Sequence, residues 1–450
     1  MDQRLPATIL GALLAASSAA SAQQQQPTLP LQQGPAASPS SPAGSQSAPP
    51  AQAQRSQEVT GSQNWTPPAT LGDWASGIAL SFQGDAGITV NPAAPNDGIN
   101  FGHLFTDKAN RPLLNQAVLG AARPLDPKAT GYDFGFKLAL LYGSDARLIH
   151  KLGVFDHLIH DRNQLDVVEA DVLVHAPWLF DGGIDFKGGI WPTPLGAEVI
   201  DPKPNPFYSH SYIFNYGLPF AHTGVLATAH VSRVLDLYLS VDSGANTSLG
   251  PGDNNDEPSG IAGFGLNLLG GNLTVVALTH LGPENPKRST PFADSALRYY
   301  NDVVLVWKAT PKLTLTTEGN YVREEGFRAE GWGVAQYASY TLSSALTLNG
   351  RAEIWRDSEN FFVSVPVNNL DFVNNERGLN ANFYTASRPT TYSELTVGVT
   401  YTPQGLPKSI SAIEIRPELR YDRSPNGTHP YNDRRDAGQF TLGADVILGF

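Results

Sequence analysis

The chain has 450 residues with 42 acidic against 30 basic side chains, a formal net charge of −12, and only 16% charged residues where roughly a quarter is usual. That balance, without basic clusters, argues against nucleic-acid binding, which needs massed Lys and Arg; the lack of cysteine excludes disulfides, thiolate metal sites, cysteine nucleophiles and a lipid anchor on an N-terminal Cys. With 43 Gly, 35 Pro, 20 Phe, 16 Tyr and 7 Trp, the composition is that of turn-rich, aromatic-rich strands.

Residues 1–22 carry Arg4, an apolar run from Ala7 to Ala16 with Ile9, Leu10, Leu13 and Leu14, and then Ala20-Ser21-Ala22. This is the pattern of a secretory signal peptide cleaved before Gln23, because the apolar run is about half the roughly 20 residues a membrane helix needs. No later stretch has 18 consecutive apolar residues, so any membrane crossing must use strands. Residues 23–70 are rich in Gln, Pro, Ser and Ala, with nine prolines and Arg55 and Glu58 as the only charges. Such a segment cannot bury enough apolar area to offset ordering its backbone, and it reads as a disordered periplasmic linker.

From Leu71 to Phe450 the hydrophobic period is two. Tyr132, Phe134, Phe136, Leu138, Leu140 and Tyr142 share one face of a strand, and Ile413, Ile415, Pro417, Leu419 and Tyr421 share a face opposite Glu414, Arg416, Glu418, Arg420 and Asp422. A soluble sandwich and a membrane barrel both alternate, but sandwich strands average five to six residues whereas a tilted spanning strand needs about nine to eleven with aromatics at both interfaces. The clear strands here run nine to twelve. Sixteen candidate strands centre near Leu80, Val118, Leu138, Val172, Phe186, Ala227, Leu239, Leu266, Ala277, Leu305, Thr317, Ala335, Gly350, Val397, Pro417 and Asp445. Weak patterning near Val118 and Ala335 leaves fourteen or eighteen open. Long connections, 91–113, 143–163, 192–222, 244–260, 282–297, 323–330, 356–391 and 423–438, alternate with tight ones such as Gly270-Gly271-Asn272 and Thr310-Pro311-Lys312. Long loops all at one end are a property of outer-membrane barrels. The expected fold is therefore all-β, a transmembrane antiparallel up-and-down barrel over residues 71–450.

The segment Gly189-Ile-Trp-Pro-Thr-Pro-Leu-Gly-Ala-Glu-Val-Ile-Asp-Pro, with Asn205-Pro-Phe-Tyr-Ser-His-Ser-Tyr-Ile-Phe-Asn-Tyr-Gly-Leu-Pro-Phe and His222-Thr-Gly-Val-Leu-Ala-Thr, resembles β-barrel porin family 2, the OmpL-like outer-membrane proteins. Asn110-Arg-Pro-Leu-Leu-Asn-Gln, Tyr142-Gly-Ser-Asp-Ala-Arg, Arg351-Ala-Glu and Phe440-Thr-Leu-Gly-Ala-Asp-Val extend the likeness over nearly all of 71–450. The resemblance implies an integral outer-membrane porin of a Gram-negative bacterium, in a family whose substrates are largely unassigned. The chain's close on Phe450, ten residues after Phe440, is similar to the signal that the barrel-assembly machinery recognises.

The loop 192–222 holds Phe207, Tyr208, Tyr212, Phe214, Tyr216 and Phe220 with His210 and His222. An exposed loop this aromatic would be unusual. It reads equally as a lumenal constriction whose rings stack on sugar-like solutes or as a plug packed on the barrel wall. Strand parity directs Asp133, Glu169, Asp171, Asp185, Asp236, Asp242, Asp302, Glu318, Glu353, Glu394, Glu414, Glu418 and Asp445 into the lumen against Lys137, Lys187, Lys308, Arg351, Arg416 and Arg420. Thirteen acids against six bases predict a weak cation preference in a wet lumen. His150, His157 and His160 beside Asp156 and Asp161 match no ligand pattern and read as solvated loop histidines, so no metal or other cofactor is expected. The sequence carries no GxSxG, Walker or dinucleotide motif.

The function read from these features is passive diffusion of small hydrophilic solutes through an outer-membrane pore, without enzymatic activity. Its partners would be membrane lipid, the assembly machinery, the solutes and, since porins of this size often trimerise, two further copies. The alternatives are a lipase- or protease-like barrel enzyme, for which no Ser/His/Asp or Asp/His set stands out, and a non-conducting structural or adhesion barrel plugged by 192–222.

Overall fold

The computed structural model describes residues 74–450. The expected signal peptide, 1–22, and linker, 23–70, lie outside the described residues.

Residues alternating between apolar and polar form strands because successive side chains of an extended backbone point to opposite faces. The first eight are β1 (Ala79–Val90), β2 (Pro112–Arg123), β3 (Asp133–Gly143), β4 (Gln164–Ala176), β5 (Ile184–Pro192), β6 (Ala221–His230), β7 (Leu235–Asp242) and β8 (Gly260–Leu268). They are followed by β9 (Leu273–Pro283), β10 (Leu297–Thr310), β11 (Leu313–Glu324), β12 (Ala329–Ser343) and β13 (Leu346–Asp357). A separate hairpin, β14 (Ser364–Pro366) with β15 (Phe383–Thr385), lies within the next connection, and β16 (Thr390–Tyr401), β17 (Ala412–Arg423) and β18 (Gly438–Gly449) complete the wall. Every pair in the wall is antiparallel, each strand neighbours the next in sequence, β13 pairs with β16, and β18 closes on β1. The result is an up-and-down barrel of sixteen strands, and each expected centre falls inside one of them.

Most long connections fall within one or two residues of the expected bounds, and one is notably short. The one between β11 and β12 shrinks to residues 325–328, because β12 runs 15 residues and lengthens the wall on that side. At the opposite end, the β8–β9 turn needs Gly270 and Gly271, whose φ angles of 64° and 88° are costly for residues with a Cβ. The Thr310 hydroxyl accepts from the Lys312 and Leu313 amides at 3.2 and 3.0 Å, fixing the β10–β11 turn.

The outer face is an apolar belt in which Leu80, Leu119, Val172, Leu239, Val241 and Leu395 are exposed. Tyr132, Phe134, Trp307, Tyr340 and Tyr401 ring its short-turn end, and Tyr142, Trp332, Tyr421 and Phe440 ring the long-loop end. Such a belt edged by aromatics suits lipid. No helix among the described residues is long and apolar enough to cross a membrane; three short ones, α1 (Ala146–Ile149), α2 (Tyr212–Tyr216) and α3 (Asp371–Glu376), lie in the long connections. Phe450 sits at the closing seam, where its amide donates to the Phe82 carbonyl at 2.9 Å, the Phe82 amide donates back at 3.3 Å, and the two rings lie 5.9 Å apart.

The interior departs from the expected wet lumen. An apolar cluster fills its middle and long-loop end, built from Phe101 and Phe105 of one long loop, Tyr212, Ile213 and Phe214 of another, and Trp355, Tyr392 and Tyr431. Ala139, on the lumenal face by parity, packs against this cluster rather than facing water. Toward the short-turn end Lys137, Lys187, Lys308 and Ser339 are only half-buried or exposed.

Two outcomes follow. Arg at Leu138, mid-strand on the lipid face, should cost about 2–4 kcal/mol and at Leu80, by the rim, about 0–1; urea titration of the inserted barrel measures both, and equal costs would refute the membrane register. Deleting Phe450 removes the seam pairs, so it should lower the fraction of heat-modifiable barrel, whereas an unchanged fraction would show the terminal residue to be dispensable.

Candidate functional site: a loop pinned inside the barrel

A chain segment that enters a barrel loses water on both sides, and each of its N–H and C=O groups then needs a partner. Residues 193–220, between β5 and β6, make this excursion, and almost all of 205–220 is buried. Four wall carboxylates take up the loop's amides. Asp302 on β10 accepts from Gly196 at 2.8 Å and Glu318 on β11 from Ala197 at 3.0 Å. Glu353 on β13 accepts from both Tyr212 and Ile213, at 2.7 and 2.8 Å, which are the first residues of α2. A carboxylate there also meets the positive end of the short helix, while the Ser211 hydroxyl caps it by accepting from Phe214 at 3.0 Å. Glu418 on β17 accepts from Tyr208 and Ser209 at 2.9 and 3.2 Å.

Three wall arginines take up the loop's carbonyls. Arg351 donates to Ser209 at 2.8 Å, Arg416 to Pro202 and Asn205 at 2.6 and 2.7 Å, and Arg420 to His210 at 2.6 Å. Each guanidinium is also ion-paired on the wall: Arg351 with Glu394 at 2.6 Å, Arg416 with Asp445 at 3.0 Å through Nε, and Arg420 with Asp422 at 2.7 Å. The loop supplies one acid of its own. Glu198 accepts from Arg351 at 2.7 Å, from Tyr337 at 3.0 Å and from His210 at 2.6 Å. Burial alone would raise its carboxyl, but Arg351 and then His210 outweigh burial and hold it at about 2.

The loop's rings are divided among these contacts. Phe207 lies 5.2 Å beneath the Arg351 guanidinium, and His210 stacks on Phe214 at 4.2 Å. The Tyr208 hydroxyl donates to Asn115 at 2.8 Å. Tyr212 donates to Asp422 at 3.1 Å, meets the Tyr431 hydroxyl at 3.0 Å, and stacks on Tyr392 at 5.0 Å. Gly102 of the loop 91–111 lies so close to Tyr212 that a Cβ there would come within 2.5 Å of its hydroxyl.

The remaining candidates lie elsewhere. Glu169 and Asp171 on β4 face Lys187 at 3.1 and 3.7 Å in the open short-turn third, with Lys137 at 3.6 Å from Glu169. Asp185 bridges His175 and His230 at 2.6 and 3.1 Å. Glu414 is half-buried near the short-turn rim. His222 is apart from the loop's other rings, at its foot, facing Thr193 and Asp242. Phe440 and Phe450 face outward. His157 and His160 are exposed as expected, but His150 is not solvated: it is buried between Asp166 and Asp156 at 3.2 and 2.9 Å. Each of its ring nitrogens lies within hydrogen-bond distance of a carboxylate, which is why it tolerates burial.

Asp302 and Glu318 face inward as strand parity expects, but their grip on the loop was not foreseen, and Glu198 lay unremarked within the loop's own sequence.

A search of curated proteins found no match. Among solved structures, the outer membrane channel DcaP of Acinetobacter baumannii is 12% identical with a TM-score of 0.51, covering 83% of this chain and 97% of its own. OprB of Pseudomonas putida, at high pH, is 13% identical with a TM-score of 0.50, covering 85% and 96%. OmpF of Salmonella typhi, in complex with daunomycin, is 8% identical with a TM-score of 0.53, covering 83% and 97%. At such identities the likeness is one of fold. The sequence itself matches a family over residues 77–450, and the chain belongs to that family of outer-membrane barrels, described as Putative beta-barrel porin-2, OmpL-like.

Proposed function

We propose that this barrel is a loop-constricted channel for passive diffusion of small hydrophilic solutes, weakly cation-preferring and without catalytic activity. The observation that carries this reading is the wall's inward surplus of acid, met by a loop that enters the lumen and is fastened there by its own backbone. A porin family and a porin-like fold agree with it. In the open third three carboxylates, Glu169, Asp171 and Asp185, face two lysines, Lys137 and Lys187, and the partly exposed Glu169 and Asp185 would concentrate cations at the mouth. Insertion by the assembly machinery and association with two further copies belong to the same proposal.

A second reading has its own support. The side chains around the loop are buried on every side, as in a non-conducting barrel. Conductance separates the two.

In planar bilayers the intact protein should show small unitary conductance and a cation-selective reversal potential across a KCl gradient. The selectivity should fade as salt rises, because the Debye length is about 8 Å at physiological ionic strength. An anion-selective result would contradict the acid-lined mouth. Glu353→Ala removes two loop-amide acceptors, each worth about 1.5–3 kcal/mol for a charged partner, and should raise conductance and its fluctuation. Silence from both proteins would favour the non-conducting barrel.

A further inference from the structure

Beyond the pinned loop, three buried side chains from separate strands converge at the long-loop end of the wall. They are His222 at the start of β6, Asp242 at the end of β7 and His280 on β9. One ligand atom of each lies within 4.8 Å of the others. Asp242 Oδ1 is 2.9 Å from His280 Nε2 and 3.6 Å from His222 Nδ1. A tetrahedral centre with bonds of about 2.0–2.1 Å has ligand-to-ligand edges of about 3.3–3.4 Å, and the two observed edges straddle that value. His222 Nδ1 has no hydrogen-bond partner although the ring is fully buried, a costly arrangement unless something else binds that nitrogen.

The surroundings are arranged as supports. Histidines that ligate metals use the far ring nitrogen to donate to a fixed acceptor. His222 Nε2 has such a partner in the Thr193 hydroxyl at 3.1 Å, whereas His280 Nδ1, 3.6 Å from Glu284 Oε1, has no hydrogen-bond partner. The second oxygen of Asp242 accepts from Ser240 at 2.8 Å, and the first also accepts from the Gly244 amide at 3.1 Å. The chain therefore orients the His222 imidazole and the Asp242 carboxylate toward the point that His280 Nε2 also faces.

We infer that His222, Asp242 and His280 form a binding site for one divalent transition metal of the Zn²⁺ class, with the fourth position taken by water. Thr193 and residues 220–222 are the two feet of the inward loop, and Asn246 accepts from the Phe220 and Ala221 amides at 3.2 Å. A metal at this point staples the loop's exit to the connection that follows β7.

The test uses untagged full-length barrel, stripped with EDTA and titrated with Co²⁺. The expected result is one Co²⁺ per chain, visible d–d bands of a tetrahedral nitrogen–oxygen site, and displacement by Zn²⁺. His222→Gln and His280→Gln should abolish the bands, and Zn²⁺ should raise the unfolding temperature of the intact protein but not of these variants. His160→Gln, in an exposed loop, should keep them. The absence of bands from the intact protein, or their survival in both triad variants, overturns the assignment. Where a triad variant does not form a heat-modifiable barrel, Asp242→Asn with its near-identical shape replaces it, and the intact protein's titration still decides.

Discussion

A strand satisfies its neighbours' amides, but a loop drawn into a barrel must find its partners on the wall. That requirement organises this protein. Residues 193–220 bring a run of peptide groups into a space from which the surrounding aromatics exclude water, and each unpaired group there would cost about 1–3 kcal/mol. Asp302, Glu318, Glu353 and Glu418 accept from the amides; Arg351, Arg416 and Arg420 donate to the carbonyls. Acids and bases alternate on β17 because the loop above it presents both kinds of backbone group. The arginines in turn need their own anions, which Glu394, Asp445 and Asp422 supply. Breaking one member of such a buried set is costly, since it strands a charge.

The wall was legible because its rule is local. Period-two alternation depends on nothing beyond the strand itself, so Phe134 and Leu138 could be set outside and Asp133 inside before any contact was known. Parity tells which way Glu353 points but not what occupies the space it points into. A wet lumen and a packed one give identical alternation, and the difference lies in the loop, where no period exists to read. Its aromatic content showed that it contacts something without showing that Glu353 would hold its helix. Glu198 is one acid in a polar stretch, and only the fold brings it to Arg351. His222, Asp242 and His280 are separated by twenty and thirty-eight positions, so no motif spacing joins them; they meet because three strands end at the same height. His150 failed for a related reason, since its partner Asp166 belongs to the next strand.

The two ends of the lumen consequently do different work. At the short-turn end Lys137 is exposed and Glu169 and Lys187 are half-buried, while the Asp171 carboxylate is buried beside Lys187. Farther in, charges of the same kinds are consumed as structure. In the channel proposed above, selectivity would lie at the mouth and resistance at the loop, so the two would change independently.

The chain's lack of cysteine makes the central claim directly measurable. A single cysteine placed at Ser209, which is buried and held between Glu418 and Arg351, can be compared with one at the exposed turn residue Ser232 by the rate of labelling with a water-soluble maleimide. If the wall holds the loop, the Ser209→Cys protein labels far more slowly than the Ser232→Cys protein, and adding Glu418→Ala to the former restores fast labelling. Equal rates at the two positions in the otherwise intact barrel would contradict the account.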